Sequence, residues 1–311
     1  MMASIKELSK QEEKFTGGHR ACAGCGAATI MRQTMMAAGN RPVVVGSATG
    51  CMEVVSTLFP YTAWKVPFIH NAFENSAATI SGVEAAFQSL KRQGKIDKDI
   101  KFIALGGDGG TYDIGFQSLS GAMERGHDMV YICYDNQAYM NTGVQRSSAT
   151  PRGASTTTAP AGRVKQGKEQ FRKDIAWAMV AHRIPYVAQS ALGFWNDYIT
   201  KVQKALDMPG PAFINVLAPC RLGWPHDPAK TLDLGRAAAN TCFWPLYEVI
   251  NGKYKINYRP KEKLPITEWL KLQRRFKHLF RPENKHIIDD IQRESDARWE
   301  HLQKLEQAFG N

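Results

Sequence analysis

No stretch of this sequence approaches the ~20 consecutive apolar residues that a membrane-spanning helix requires. The opening, "MMASIKELSKQEEKFTGG", is polar and charged and lacks the apolar core of a secretory signal. Both absences point to a cytoplasmic protein that does not enter a membrane. There is no internal repeat, which argues against a solenoid. No aromatic-and-basic motif of a nucleic-acid module is present, so no nucleic-acid partner is expected. Cysteine is sparse, with six in 311 residues. In a cytoplasmic chain of this length that excludes a disulfide framework and leaves metal binding or buried thiols.

What is present is the composition of an ordinary folded protein, 43% hydrophobic and 22% charged. The length suits one large α/β domain or two small ones. The net charge of +11 favours acidic partners or phosphorylated ligands. Much of it lies late, in "KYKINYRPKEKLP" and "KLQRRFKHLFRPENKH", where a solvated helix face is the plainer account.

Apolar runs and helical patterns alternate. "RPVVVGSA", "KFIALGG", "MVYICYDN", "PYVAQS" and "PAFINVLAPC" read as strands. "AATIMRQTMMAAG", "AFENSAATISGVEAAFQSLKRQG", "DIGFQSLSGAMERG", "QFRKDIAWAMVAHR" and "GFWNDYITKVQKALD" read as helices. The alternation predicts a mostly parallel, doubly wound α/β sheet covered on both faces. Residues 1–225 form this domain. Residues 226–311 form a C-terminal extension: a short mixed segment, then largely helical, and suited to subunit contacts. The polar loop from Tyr139 to Gly167 is too long for an ordinary connection and is either disordered or functional.

The stretch "GGDGGTYDIG" follows the strand "KFIAL". Asp108 ends that strand and Asn136 ends "MVYICYD", 28 residues later, the length of one right-handed crossover. If the strands are neighbours, both side chains meet at the carboxyl edge, where α/β sheets bind ligands. A carboxylate and an amide oxygen converging there suit Mg²⁺, which favours oxygen ligands and phosphates. The glycines let a backbone approach closely; a tight turn is the alternative. The spacing resembles the thiamine-diphosphate motif, in which the backbone carbonyl two residues past the Asn, here Ala138, is a further magnesium ligand.

"CAGC" places Cys22 and Cys25 in a glycine-rich loop, and Cys51 and Cys220 each follow a strand at the same edge. Four thiolates there could hold Zn²⁺ or an iron–sulfur cluster. Zinc sites usually pair two Cys-x₂-Cys knuckles and only one is present, so the scattered pattern leans towards [4Fe–4S]. Cys133, in mid-strand, and Cys242, in the extension, read as buried structural thiols.

With "GHRACAGCG", "ATGCMEVVSTLFPYTAWKVPFIHNAFENSAATISGVEAA", "GGDGGTYDIGFQSLSGAMERGH", "YDNQAYMNTGVQRSSATP" and "GPAFINVLAPC" in order over residues 19–225, the chain resembles the β subunit of a 2-oxoacid:ferredoxin oxidoreductase, most like those acting on pyruvate. The resemblance implies a sheet of the thiamine-diphosphate-binding type. It implies CoA-dependent, reversible oxidative decarboxylation, with electrons passing through a [4Fe–4S] cluster to ferredoxin. It implies Cys22, Cys25, Cys51 and Cys220 on the cluster; Asp108, Asn136 and the Ala138 carbonyl on Mg²⁺; and Gly107, Gly109 and Thr142 around the diphosphate. Asn141 would face the substrate and the thiazolium ring. The family's activating glutamate belongs to a pyrimidine-binding subunit, and further clusters to a ferredoxin-like one. Partners of α, γ and δ type are therefore expected, and the chain alone should be catalytically incomplete.

Other 2-oxoacids, or oxalate, remain alternatives to pyruvate. A zinc-bound phosphate-binding or scaffold protein is the rival from another class. His70 and Glu74 read as site, interface or surface residues. The later half of the long loop, "SSATPRGASTTTAPAGR", is poor in apolar anchors and is expected to lie against a partner rather than bury itself on its own chain. Arg146 and Arg152 in it would meet anionic groups or solvent.

Overall fold

The computed structural model describes residues 4–310. Eight strands form one sheet: β1 (Val43–Ala48), β2 (Phe68–Asn71), β3 (Lys101–Gly107), β4 (Val130–Asp135), β5 (Tyr186–Ala191), β6 (Ala212–Leu217), β7 (Tyr247–Ile250) and β8 (Lys253–Ile256). Their order is β2-β1-β3-β4-β6-β5-β7-β8, with every pair parallel except β5–β7 and β7–β8. Every residue of β4, β5 and β6 is buried, which explains why these strands read as apolar runs rather than alternating ones.

Ten α-helices are present among the described residues: α1 (Ile5–Leu8), α2 (Gly26–Ala38), α3 (Cys51–Ser56), α4 (Ser76–Arg92), α5 (Phe116–Glu124), α6 (Ile175–Ala181), α7 (Trp195–Asp207), α8 (Thr231–Asn240), α9 (Thr267–Leu270) and α10 (Lys285–Phe309). Helices α2 and α7 pack on the face formed by Val43, Val45, Val130, Ile132 and Ile214. Helices α4, α5 and α6 cover the opposite face, formed by Phe102, Ala104, Tyr131, Cys133 and Phe213. Alternate residues of β4 thus serve opposite cores, as the pleat requires. No helix among the described residues is long and apolar enough to cross a membrane.

The mostly parallel α/β sheet matches the sequence pattern, and three local features depart from it. Strand β2 and helix α3 lie in a stretch with too little periodicity to read. The helix expected over "QFRKDIAWAMVAHR" is only α6, because the Asp174 carboxylate caps it by accepting from Trp177 N–H at 3.0 Å. The mixed segment of the extension is the β7–β8 hairpin, which prolongs the sheet beyond β5.

Trp244, Trp269, Phe276 and Leu279 of the extension form an apolar core with Trp224 and with Ala191 and Leu217 at the ends of β5 and β6. Trp269 is its centre. It stacks on Phe243 at 4.3 Å, meets Trp224 edge-on at 5.9 Å and lies 5.7 Å from Phe276. Trp269→Ala is expected to cost about 3–5 kcal/mol of unfolding free energy, the usual effect of a deleted core tryptophan. The loss should appear in the same denaturant transition as the sheet. A separate, lower transition for the extension would show instead that it folds by itself.

Candidate cofactor site at the carboxyl edge of the sheet

Strands β1, β3, β4 and β6 are consecutive in the sheet. Their carboxyl ends therefore set Cys51, Asp108, Asn136 and Cys220 along one edge. Chain order reverses beside β1, with β2 on one side and β3 on the other, and a crevice opens there. The residues after β1, β3 and β4 line a narrow cleft. Gly107, Asp108, Gly109, Asn136, Ala138, Asn141 and Thr142 all lie on it.

Asp108 has no exposed surface. Its Oδ1 accepts the Asn136 backbone N–H at 3.2 Å, and its Oδ2 accepts the Ser147 hydroxyl at 2.5 Å. Burial holds its carboxyl well above the ordinary value and Asp135 adds to this, while the Ser147 and Asn136 hydrogen bonds oppose it. The Asn136 amide oxygen lies 2.9 Å from Asp108 Oδ1 and 2.9 Å from the Ala138 carbonyl oxygen. Three acceptor oxygens thus face one another. Turning the amide over would let its NH₂ donate to both neighbours. With the oxygen inward, the triad needs a cation.

Two glycines keep the cleft open. A Cβ on Gly109 would stand 2.3 Å from the Tyr139 ring, and one on Gly110 would stand 2.7 Å from the Phe73 carbonyl oxygen. The chain leaves β3 through a π-helical turn, Gly109–Ile114, rather than entering α5 directly. The Tyr134 hydroxyl is buried on the cleft wall, where the Met52 backbone N–H bears on it. Asn141 and Thr142 are exposed at the mouth, where the Thr142 hydroxyl donates to Gln145 Oε1 at 2.5 Å.

Cys51 opens α3 and also lines the cleft. The Cys22–Cys25 loop is tied to the Cys220 loop through Gly26, whose N–H donates to the Pro219 carbonyl at 3.3 Å. A Cβ at Gly26 would stand 2.8 Å from that oxygen. The thiols feel one another. Burial, then Cys220, Cys25, Asp108 and Cys22, push the Cys51 thiol up to about 12. Burial also raises Cys25 and Cys220, each against backbone N–H groups that favour the thiolate. Gly223 N–H lies 3.4 Å from Cys220 Sγ. Yet among the described residues no three His, Cys, Asp or Glu side chains are close enough to hold a single metal ion. The four thiols share a neighbourhood without closing to a one-ion site. Cys133 and Cys242 are buried elsewhere, in β4 and after α8.

Several partners of the site carried no readable spacing. Ser147 sits in the polar run "RSSAT". Trp224 donates its indole N–H to the Asn136 carbonyl at 2.8 Å. Arg275, in the 3₁₀ segment Arg274–Phe280, donates to Gln137 Oε1 at 2.5 Å. His70 Nε2 lies 3.0 Å from Thr49 Oγ1 and its Nδ1 3.5 Å from Glu53 Oε1, while Glu74 is exposed. The long loop corrects its expectation. Ser147, Thr150, Ala154 and Thr156 are buried on their own chain. Small residues let the loop backbone lie directly against the extension: Ser155 N–H donates to the Arg275 carbonyl at 3.1 Å, and Gly153 packs on Leu279. Arg152 pairs with Asp290 of α10 at 2.9 Å rather than with solvent.

Residues 45–216 match the thiamine pyrophosphate enzyme, C-terminal TPP binding domain. The chain is 55% identical to the pyruvate synthase subunit PorB of Methanocaldococcus jannaschii, over 86% of this chain and 91% of that one. It is 50% identical to the PorB subunit of Thermotoga maritima, over 99% and 98%. It is 44% identical to the ketoisovalerate oxidoreductase subunit VorB of Pyrococcus abyssi, over 96% and 95%. A chain of 2-oxoglutarate:ferredoxin oxidoreductase from Magnetococcus marinus superposes with a TM-score of 0.56 at 20% identity, covering 73% of this chain and 82% of that chain, and speaks for the fold. The chain therefore belongs to the thiamine-diphosphate-dependent 2-oxoacid:ferredoxin oxidoreductases, in the family of their β subunits.

Proposed function

We propose that this β subunit serves the CoA-dependent oxidative decarboxylation of pyruvate to acetyl-CoA and CO₂, with electrons leaving singly through a [4Fe–4S] cluster to ferredoxin. The observation that carries the cofactor reading is the triad of Asp108 Oδ1, Asn136 Oδ1 and the Ala138 carbonyl oxygen. The Asn136 amide atom lies 2.9 Å from each of the other two oxygens, the spacing of adjacent corners in an octahedron with bonds of about 2.1 Å, the size of a Mg²⁺ shell. Mg²⁺ at that point would carry the diphosphate of thiamine. Bound there, thiamine diphosphate supplies the electron sink that lets a 2-oxoacid lose CO₂.

The chain's own residues bind, orient and shield. Asp108 is the one charged ligand to the cation, and Ser147 fixes its second oxygen. Gly107, Gly109 and Thr142 border the diphosphate, and the Tyr134 hydroxyl meets an acceptor on the bound cofactor. Asn141, at the mouth, faces the substrate. Burial of Asp108 and Tyr134 keeps water from the bound diphosphate. Cys22, Cys25, Cys51 and Cys220 hold the cluster, and the presence of a single Cys-x₂-Cys knuckle favours it over zinc. Cys51 lines the cofactor cleft itself, so the cluster lies beside the source of its electrons. The activating glutamate comes from a pyrimidine-binding subunit, and ferredoxin-like clusters from another; both are partners of this chain, with residues 226–311 making subunit contacts. Pyruvate is favoured by the PorB relatives. The VorB relative keeps a branched 2-oxoacid as the second reading, and a substrate panel on the complex with ferredoxin reduction as readout separates the two.

Calorimetric titration with thiamine diphosphate and Mg²⁺ tests the cation triad. Asp108→Ala is expected to abolish binding with the fold retained. Ser147→Ala, which acts through Asp108, is expected to weaken Mg²⁺ binding about 10–100-fold. Unchanged binding in Asp108→Ala removes the triad from the site.

Iron analysis and low-temperature EPR of the reduced complex test the thiols. Cys51→Ser or Cys220→Ser should lose the cluster signal or make it labile, while Cys242→Ser should keep it. A colourless wild-type protein with stoichiometric zinc would sink the redox reading.

The chain expressed alone should show no 2-oxoacid turnover, and adding the partner subunits should restore it. Robust decarboxylation by the lone chain contradicts the split site.

A further inference from the structure

Arg275 has no place in the chemistry above, yet it is one of the few buried arginines in the molecule. Its guanidinium lies 4.0 Å over the Trp224 ring, 4.9 Å from Phe276 and 5.8 Å from Trp269. Its Nε donates to Gln273 Oε1 at 2.9 Å and its Nη2 to Gln137 Oε1 at 2.5 Å. Both acceptors are neutral amides, and among the described residues Arg275 forms no ion pair. A cation held out of water without an anion is strongly disfavoured, and an arginine does not escape by losing its proton.

Burial lowers the affinity of Arg275 for its proton, and the anions that oppose this are, in order, Cys220, Asp135 and Asp108. Asp135 is already paired with Arg172 at 3.3 Å. Asp108 faces the cation triad. Cys220 remains, and the chain holds it close. Trp224, directly under the guanidinium, donates its backbone N–H to the Cys220 carbonyl at 2.9 Å, and the neighbouring Gly223 N–H points at Cys220 Sγ. Trp224, Trp269 and Phe276 pack around the guanidinium and shield it from solvent on that side, so its charge is weakly screened there.

Resting on the cluster reading of the four thiols, we propose that Arg275 is the fixed countercharge of an anionic iron–sulfur cluster at Cys220 and raises its reduction potential. A cluster held by four thiolates gains negative charge when reduced, and a fixed cation beside it favours the reduced state. The side chain also clamps the Asn136–Ala138 turn through Gln137 and Trp224. A clamp acts by shape and a countercharge by sign, and variants separate the two.

The test is an EPR-monitored redox titration of the assembled complex carrying Arg275→Gln, Arg275→Lys or Gln273→Glu. The relevant signal is identified by its loss in the Cys51→Ser complex. Removing the charge, or neutralising it with a carboxylate at position 273, is expected to lower the midpoint potential. The expected change is at least tenfold in the one-electron equilibrium, about 59 mV, with iron content unchanged. Arg275→Lys is expected to stay near the wild-type potential. A wild-type potential in Arg275→Gln and Gln273→Glu overturns the proposal, and so does an equal fall in Arg275→Lys. Should Arg275→Gln fail to assemble, Gln273→Glu decides alone, because it keeps the guanidinium and its stack. A wild-type complex with no iron at the four thiols overturns the cluster reading itself, and the countercharge with it.

Discussion

A carboxylate with no exposed surface stands at the end of an apolar strand, and much of the molecule is arranged around it. Asp108 leaves β3 where the sheet is covered on both faces. Water cannot solvate it, so its neighbours must. Ser147 and the Asn136 N–H satisfy part of it from two directions, and what is left over is an oxygen aimed at two further oxygens. Either the Asn136 NH₂, turned inward, or a bound cation can satisfy oxygens that converge in this way. The glycines follow from the same constraint. At Gly109 and Gly110 the Tyr139 ring and the Phe73 carbonyl already fill the space a Cβ would take, so the turn after Asp108 can pack this closely only with glycine.

The charge beneath the site is handled differently. Asp135, adjacent to the cation triad, is wholly buried, and burial pushes its carboxyl up while Arg172, the Tyr112 hydroxyl and the Gln137 N–H pull it down. Tyr112 donates to Asp135 at 2.6 Å and accepts from Arg172 and Asn215, each at 2.7 Å. Arg172 in turn lies 4.3 Å from the Trp244 ring. In this network the cation has its anion inside the chain. It keeps one aspartate neutralised locally, so that Asp108 alone offers charge to the cleft. Arg172 and Arg275 thus form a contrast: two buried arginines, each on a tryptophan face, one with its anion inside the chain and one without.

The sheet was legible in the sequence because buried parallel strands are continuous apolar runs and their helices keep a 3.6-residue period. Asp108 and Asn136 were legible because one crossover fixes their spacing. The Cys-x₂-Cys pair was visible as a motif, and Cys51 and Cys220 only as residues following strands. Ser147, Trp224, Gln137 and Arg275 were not legible. Each reaches the site from a loop or the extension, where no periodicity constrains position. Arg275 lies 139 residues beyond Asn136 and meets its turn only through tertiary packing. The burial of residues 147–156 on their own chain escapes the sequence for a related reason. Few apolar anchors usually means little burial, but Gly153, Ala154 and Gly167 let backbone pack on backbone, and serine and threonine hydroxyls supply hydrogen bonds in place of apolar area.

The extension is the least motif-like part of the chain and the part that closes the site from behind. Its hairpin β7–β8 continues the sheet from β5, its tryptophans form a core with the ends of β5 and β6, and Arg275 reaches from it to the turn that bears Asn136 and Ala138. The loop of Ser147 is held down on its other side by the same extension, through Arg152 and Asp290 and through Ser155 and Arg275. Both oxygen-bearing sides of the triad therefore depend on contacts made more than a hundred residues later in the chain. The spacing of Asp108 and Asn136 fixes which atoms meet; the extension fixes how firmly they are held. A site built from oxygens that converge in a buried cleft needs both, and only the first is written as a motif.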